Sequence, residues 1–207
     1  MTFYIGIAGQ MKTGKSSLAE VLEALYKVQV LSFAEPLRWE VAQAFYHKQE
    51  KSNARYLWSI LEEEDKELCR PLLQAWGQAK RDLVDEDYWV SRLRTFVERK
   101  GLDVVVIDDV RHVNEAKFII DSGGMMFWLT ASHEVLMERG WNPDNANHTS
   151  EKHDDLMQYL SEQLPTNRVF AMDTSGRSNW GMYLEAERLL NEKGFDFSNF
   201  MEVKHNG

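Results

Sequence analysis

The chain has 207 residues, of which 43% are hydrophobic and 28% charged, the balance of a globular protein able to bury a sizeable core. Its 24 Lys and Arg against 33 Asp and Glu leave a formal charge of −9, which disfavours a non-specific nucleic-acid binder, because phosphate backbones attract positive surface. The single cysteine, Cys69, excludes an intrachain disulfide and a cysteine-cluster metal site. No apolar run reaches membrane-spanning length, and no basic-then-apolar leader is evident, so a cytoplasmic protein of one domain is expected.

The first predicted strand is Thr2 to Ala8, where Phe3, Tyr4, Ile5 and Ile7 make the near-continuous apolar run of a strand covered on both faces. Glycines interrupt it from Gly9 to Gly14. A helix follows from Lys15 to Tyr26, with Leu18, Val21, Leu22 and Leu25 on one stripe. Val28 to Phe33 reads as a second strand, and Pro36 marks a new helix start. Residues 34–100 read as a mostly helical insertion with a break at Arg70-Pro71. Its last helix carries Trp89, Leu93, Phe96 and Val97 on one face and ends near Gly101. Val104 to Ile107 is the clearest strand and ends in Asp108 and Asp109. A helix over 114–122 leads through Gly123-Gly124 to a strand over 125–129, then a short helix over 132–139. Residues 139–150 are polar and turn-rich, the pattern of a short lid. A helix over 150–164, a strand over 168–172 and a helix over 180–191 complete the pattern; residues 194–207 carry no confident signal. Strands alternating with helices specify an α/β fold: an open parallel sheet of about five strands flanked by helices.

The phosphate loop is the strongest signal. Gly9-Gln10-Met11-Lys12-Thr13-Gly14-Lys15-Ser16 fits G-x-x-x-x-G-K-[ST] without a gap, between a predicted strand and a predicted helix. Glycines let such a backbone turn its N–H groups inward, and a helix N-terminus favours anions. Lys15 is expected on the β- and γ-phosphates of ATP, and Ser16 on Mg2+. Gly9, Thr13, Gly14 and Ser17 complete the cradle, while Lys12 either adds charge or faces solvent. A Mg-nucleotide site needs an acid at a nearby strand end, and Asp108 or Asp109 supplies it. Transfer between phosphorylated species also needs cations, for which Arg38, Arg81, Arg111 and Arg139 are candidates. None of the six histidines forms a zinc pattern, and His148 borders the lid. Trp39, Trp76, Tyr88 and Trp89 read first as packing residues, with base stacking as the alternative.

These residues resemble the phage-type deoxynucleoside monophosphate kinases, a branch of the P-loop nucleoside monophosphate kinases. The resemblance spans roughly residues 3–190. It rests on the loop from Gly9 to Ser17, on Phe33-Ala34-Glu35-Pro36-Leu37-Arg38, and on Leu72-Leu73-Gln74-Ala75-Trp76-Gly77 followed by Arg81 and Tyr88-Trp89-Val90. It continues through Asp109-Val110-Arg111-His112-Val113-Asn114-Glu115-Ala116, the Gly123-Gly124 pair, His148-Thr149-Ser150-Glu151 and Asp173-Thr174-Ser175-Gly176. Asp173 stands where the family usually has Asn.

The resemblance implies that Asp109 is the magnesium acid, positioning rather than deprotonating, and that Lys15, Arg111 and Arg139 are catalytic. It implies substrate contacts from Glu35, Arg38, Gln74, Arg81, Trp89, Arg111, Glu115, His148 and Glu151, and a nucleotide contact at Gly176. The implied reaction is ATP- and Mg2+-dependent phosphorylation of a deoxynucleoside 5′-monophosphate, in the host cytoplasm if a phage encodes the protein. The expected partners are those two nucleotides, with a homodimer compatible and nucleic acid and membrane disfavoured. A P-loop kinase for another acceptor (a nucleoside, another small phosphate or a modified DNA base) is the alternative, followed by a nucleotide-hydrolysing switch.

Overall fold

Short apolar runs separated by glycines become the strands, and the longer amphipathic stretches between them become helices. A computed structural model describes residues 2–26, 28–45, 66–142, 154–164 and 167–192. In chain order the elements are β1 (Phe3–Gly9), α1 (Lys15–Leu25), β2 (Gln29–Leu31), α2 (Ala34–Phe45), α3 (Lys66–Leu83), α4 (Tyr88–Lys100) and β3 (Val104–Val110). There follow α5 (Val113–Asp121), β4 (Met125–Thr130), α6 (His133–Glu138), α7 (Asp154–Gln163), β5 (Val169–Asp173) and α8 (Asn179–Glu192). They divide into two units, Met1–Leu31 with Lys100–Gly207, and Ser32–Arg99.

The first unit is built on a five-stranded sheet in the order β2-β3-β1-β4-β5 with every pairing parallel. Parallel strands are covered on both faces, which explains why Ile5, Ile7, Val104 to Ile107 and Met125 to Phe127 are all buried. Side chains alternate along a strand, so Ile5, Ile7, Val104, Val106 and Phe127 share one face. There they pack with Leu18 and Leu22 of α1 and Met182, Ala186 and Leu190 of α8. On the opposite face a Cβ at Gly6 would collide with Met126 and with Ile119 of α5, so glycine permits that close approach. The order of the strands reverses direction around β1, and the crevice beyond its carboxyl end is where open α/β sheets bind ligands.

The second unit contains α2, α3 and α4. Ser32 Oγ accepts from Ala34 N at 3.1 Å, which starts α2 two residues before Pro36. Pro36 then sits in the first turn, where its missing N–H would have no intrahelical partner. The expected break at Arg70-Pro71 does not occur: α3 runs through Pro71. The helix forgoes only the bond from position 71 to the Glu67 carbonyl, and its amphipathic pattern continues on both sides. A Cβ at Gly77 would lie 3.2 Å from Leu37 Cδ2, so α2 and α3 meet at that glycine. In α4, Val90 replaces the expected Phe96 on the buried face, and Phe96 is 41% exposed. No helix among the described residues is long and apolar enough to cross a membrane. Residues 143–150 of the expected 139–150 lid, among them His148, together with Glu151 and the tail over 194–207, lie outside the described residues.

Candidate functional site

The loop between β1 and α1 takes its shape from three residues with positive φ: Gly9 at 148°, Lys12 at 70° and Gly14 at 94°. Gly9 and Gly14 adopt such angles without the Cβ penalty, while Lys12 is a strained position for a side chain. Gly14 is the N-cap of α1, with no side-chain cap and no acid in the first turn. Such a helix start presents N–H donors and positive potential to an anion. Thr13 is buried and donates from Oγ1 to Gln10 O at 2.8 Å. Lys15 Nζ donates to Gly9 O at 2.7 Å and to Gln10 O at 2.8 Å, so its ammonium lies across the loop's entry.

The acid set against Ser16 is Asp108, the neighbour of the one expected: Ser16 Oγ donates to Asp108 Oδ2 at 3.5 Å. The reason is strand parity. Asp108 continues the series Val104, Val106 that faces α1, the helix carrying Ser16. Just there the register shifts, with Gly6 opposite Ile107 but Ala8 opposite Val110. Ile7 therefore faces two residues, Asp108 and Asp109, a bulge that sets two acids side by side. Burial, then the adjacent Asp109, push the Asp108 carboxyl above its ordinary value, against the pull of Lys15 and Ser16. A hydroxyl and a carboxylate are hard oxygen donors, the set that suits Mg2+ completed by phosphate and water.

Arg111 follows β3 directly and is half-buried. Its backbone N donates to Glu115 Oε2 at 2.8 Å, and His112 N donates to the same oxygen at 3.0 Å. Glu115 is only 2% exposed, so the carboxylate expected to meet substrate instead caps α5 and fixes the turn that carries Arg111. Arg139 is the C-cap of α6. Its Nη1 donates to Lys12 O at 3.2 Å and to Thr174 Oγ1 at 3.1 Å, and its Nη2 to Thr174 O at 2.9 Å. Thr174 Oγ1 in turn lies 2.9 Å from Thr13 O and 3.0 Å from Thr130 O. Beyond it, Asp173 Oδ1 accepts from Ser175 N at 2.9 Å in an Asx-type turn, and Gly176 completes the loop at φ 69°.

Comparison with known families finds a match to the AAA domain model over residues 5–158. The chain belongs to the AAA domain family. No curated protein matches it. Among solved structures it is similar to a shikimate kinase from Aquifex aeolicus at 13% identity and a TM-score of 0.49, with 93% of this chain and 98% of that one covered. It is also similar to a thymidylate kinase from Candida albicans at 11% identity and TM-score 0.49, covering 94% of this chain and 93% of that one. A gluconokinase from Sinorhizobium meliloti is 17% identical at a TM-score of 0.47, with 92% of each chain covered.

In this AAA domain protein the matched span contains the phosphate loop, both acids, Arg111 and Arg139, while Thr174 lies beyond it. The second unit holds Glu35 and Arg38 on α2 and Gln74 and Arg81 on α3, all half-buried. Trp89, expected as a substrate contact, is 2% exposed and donates from Nε1 to Gly77 O at 3.1 Å, the placement of a packing residue. The unit also contains a polar hub at Glu40, which accepts from the Tyr88 hydroxyl and from Trp76 Nε1 at 3.4 Å. Lys80 Nζ and Arg92 Nε lie 3.4 and 3.5 Å from the same carboxylate. No sequence pattern announces Glu40, because its partners come from two other helices. Thr174 falls in the Asp173 to Gly176 stretch of the resemblance, but no sequence signal marks its hydroxyl as buried.

Proposed function

We propose that this protein transfers the γ-phosphoryl group of ATP to a deoxynucleoside 5′-monophosphate. The observation that carries the reading is the phosphate loop with Ser16 Oγ facing Asp108 Oδ2 at 3.5 Å. The acceptor half draws its support from the stretches around Arg38, Arg81 and Arg111 that resemble the monophosphate kinases. Ser16 and Asp108 are the proposed holders of Mg2+, which when bound offsets charge on the β- and γ-phosphates. Lys15, once turned from Gly9 O and Gln10 O, binds the same phosphates, and Arg111 binds the acceptor phosphate. Arg38 and Arg81 are the remaining proposed acceptor ligands. An oxygen of the acceptor phosphate attacks Pγ, the bond from Pγ to the β–γ bridging oxygen breaks, and ADP leaves with that electron pair. The attacking oxygen is already ionised near neutral pH, so no general base is needed.

The test is ADP release against a panel of ribo- and deoxyribonucleoside monophosphates. One or more deoxynucleotides should stimulate it, and Lys15→Ala and Asp108→Asn should each lower kcat/KM by about 100-fold or more. Stimulation by no monophosphate, with transfer to another acceptor, would replace the substrate assignment.

A further inference from the structure

We infer that Thr174 and Arg139 are positioning residues that set the phosphate loop from outside it, by holding two successive loop carbonyls, those of Lys12 and Thr13. This rests on the nucleotide half of the reading above and is independent of the acceptor. Thr174 is fully buried, yet its hydroxyl has only one hydrogen for two carbonyls. Its backbone N–H already donates to Thr130 O at 2.8 Å. The hydroxyl hydrogen therefore goes to Thr13 O, at 2.9 Å. The oxygen of the same hydroxyl accepts from Arg139 Nη1 at 3.1 Å, and that nitrogen also reaches Lys12 O at 3.2 Å. Arg139 Nη2 closes the ring on Thr174 O at 2.9 Å. The chain thus joins the ends of β5 and α6 to the middle of the loop.

Two properties of the loop make this grip matter. Lys12 has a φ of 70°, and a strained residue of that kind persists only where its surroundings over-determine it. A planar trans peptide also sets each N–H opposite the preceding carbonyl. Holding Thr13 O back toward Thr174 therefore aims the Gly14 N–H the other way, as a donor for phosphate. Valine has the shape of threonine but neither donates to Thr13 O nor accepts from Arg139. Serine keeps both bonds.

The experiment is calorimetric titration of the full chain with Mg-ATP in the absence of acceptor, followed by steady-state kinetics. Thr174→Val should weaken ATP binding about 10-fold, and Thr174→Ser should stay within about twofold of wild type. Arg139→Lys, which cannot reproduce three planar donors, should weaken it about threefold or more. For Thr174→Val, KM for ATP should rise in step with Kd, with the KM of the acceptor and kcat at saturating ATP unchanged. A thermal melt checks folding, and if Thr174→Val does not fold, Arg139→Lys decides. Wild-type affinity in both variants, loss in Thr174→Ser equal to that in Thr174→Val, or an equal rise in both KM values would overturn the inference. So would a wild-type protein that does not bind ATP. A wild-type protein that binds ATP but phosphorylates no monophosphate would remove only the acceptor assignment.

Discussion

Arg111 is held through its backbone as well as by its place at the end of β3. One buried oxygen, Glu115 Oε2, accepts from the N–H groups of Arg111 and His112, and a carboxylate there is a stronger acceptor than a neutral group. Glu115→Ala should cost about 2 kcal/mol in urea unfolding, because it leaves two part-buried donors without that partner. Glu115→Gln keeps an acceptor oxygen in place and should cost about 1 kcal/mol or less. If Arg111 binds the acceptor phosphate, the alanine variant should also raise the acceptor's KM with the KM for ATP unchanged. An alanine variant as stable as wild type would show that the turn holds itself. Single-residue reading found the importance of this stretch but not its division of labour. Glu115 lies four residues from Arg111, a spacing that fits a substrate contact and a helix cap equally well. Only its burial separates the two.

At the scale of elements, most of the sheet was legible because parallel strands need unbroken apolar runs, and Phe3, Tyr4, Ile5 and Val104 to Ile107 supply them. The loop was legible for a similar reason, since its motif requires a strand before it and a helix after it. The choice of acid was not, because it depends on which face of β3 meets α1 and on a register shift that pairing alone creates. Nor was the grip of Arg139 on Lys12, which joins positions 127 residues apart. The Gly123-Gly124 pair shows how one sequence signal conceals two causes. Gly123 has a φ of 82° with none of the described residues within 4 Å of its Cβ position, so backbone strain is what opposes a side chain there. Gly124 has an ordinary φ, but a Cβ would strike the carbonyl oxygens of Tyr4 and Ile119, both backbone atoms that cannot turn aside. Gly123→Ala should therefore cost about 1 kcal/mol and Gly124→Ala about 3 kcal/mol or more. Denaturant titration of the two variants checks the order, and equal losses would refute the steric account of Gly124.

Across the whole molecule, distant parts of the chain are joined by buried polar contacts as well as by the core. Tyr26, at the end of α1, places its hydroxyl 3.0 Å from that of Tyr183 on α8, which donates to Glu187 Oε1 at 2.8 Å. Burial is the main force raising the Tyr26 phenol above its ordinary value, followed by the bond to Tyr183. Burial likewise raises Tyr183, which Glu187 reinforces, as it raises Tyr159 and Tyr88 elsewhere. A group whose pKa is higher in the folded state binds its proton more tightly there. The stability it contributes is complete below the unfolded value, about 10, and is lost as pH rises from there toward the folded value. Each such tyrosine adds up to about 1.4 kcal/mol of lost stability per pH unit in that window. The formal charge of −9 grows more negative over the same range, so self-repulsion adds to the loss. Urea unfolding at pH 8 should show Tyr26→Phe weaker than wild type by about 1 kcal/mol, the net value of its hydroxyl contacts. Between pH 10 and 11 the two curves should converge, because the variant no longer has this phenol to ionise on unfolding. Curves that stay parallel up to pH 11 would mean that Tyr26 ionises as readily in the fold as outside it.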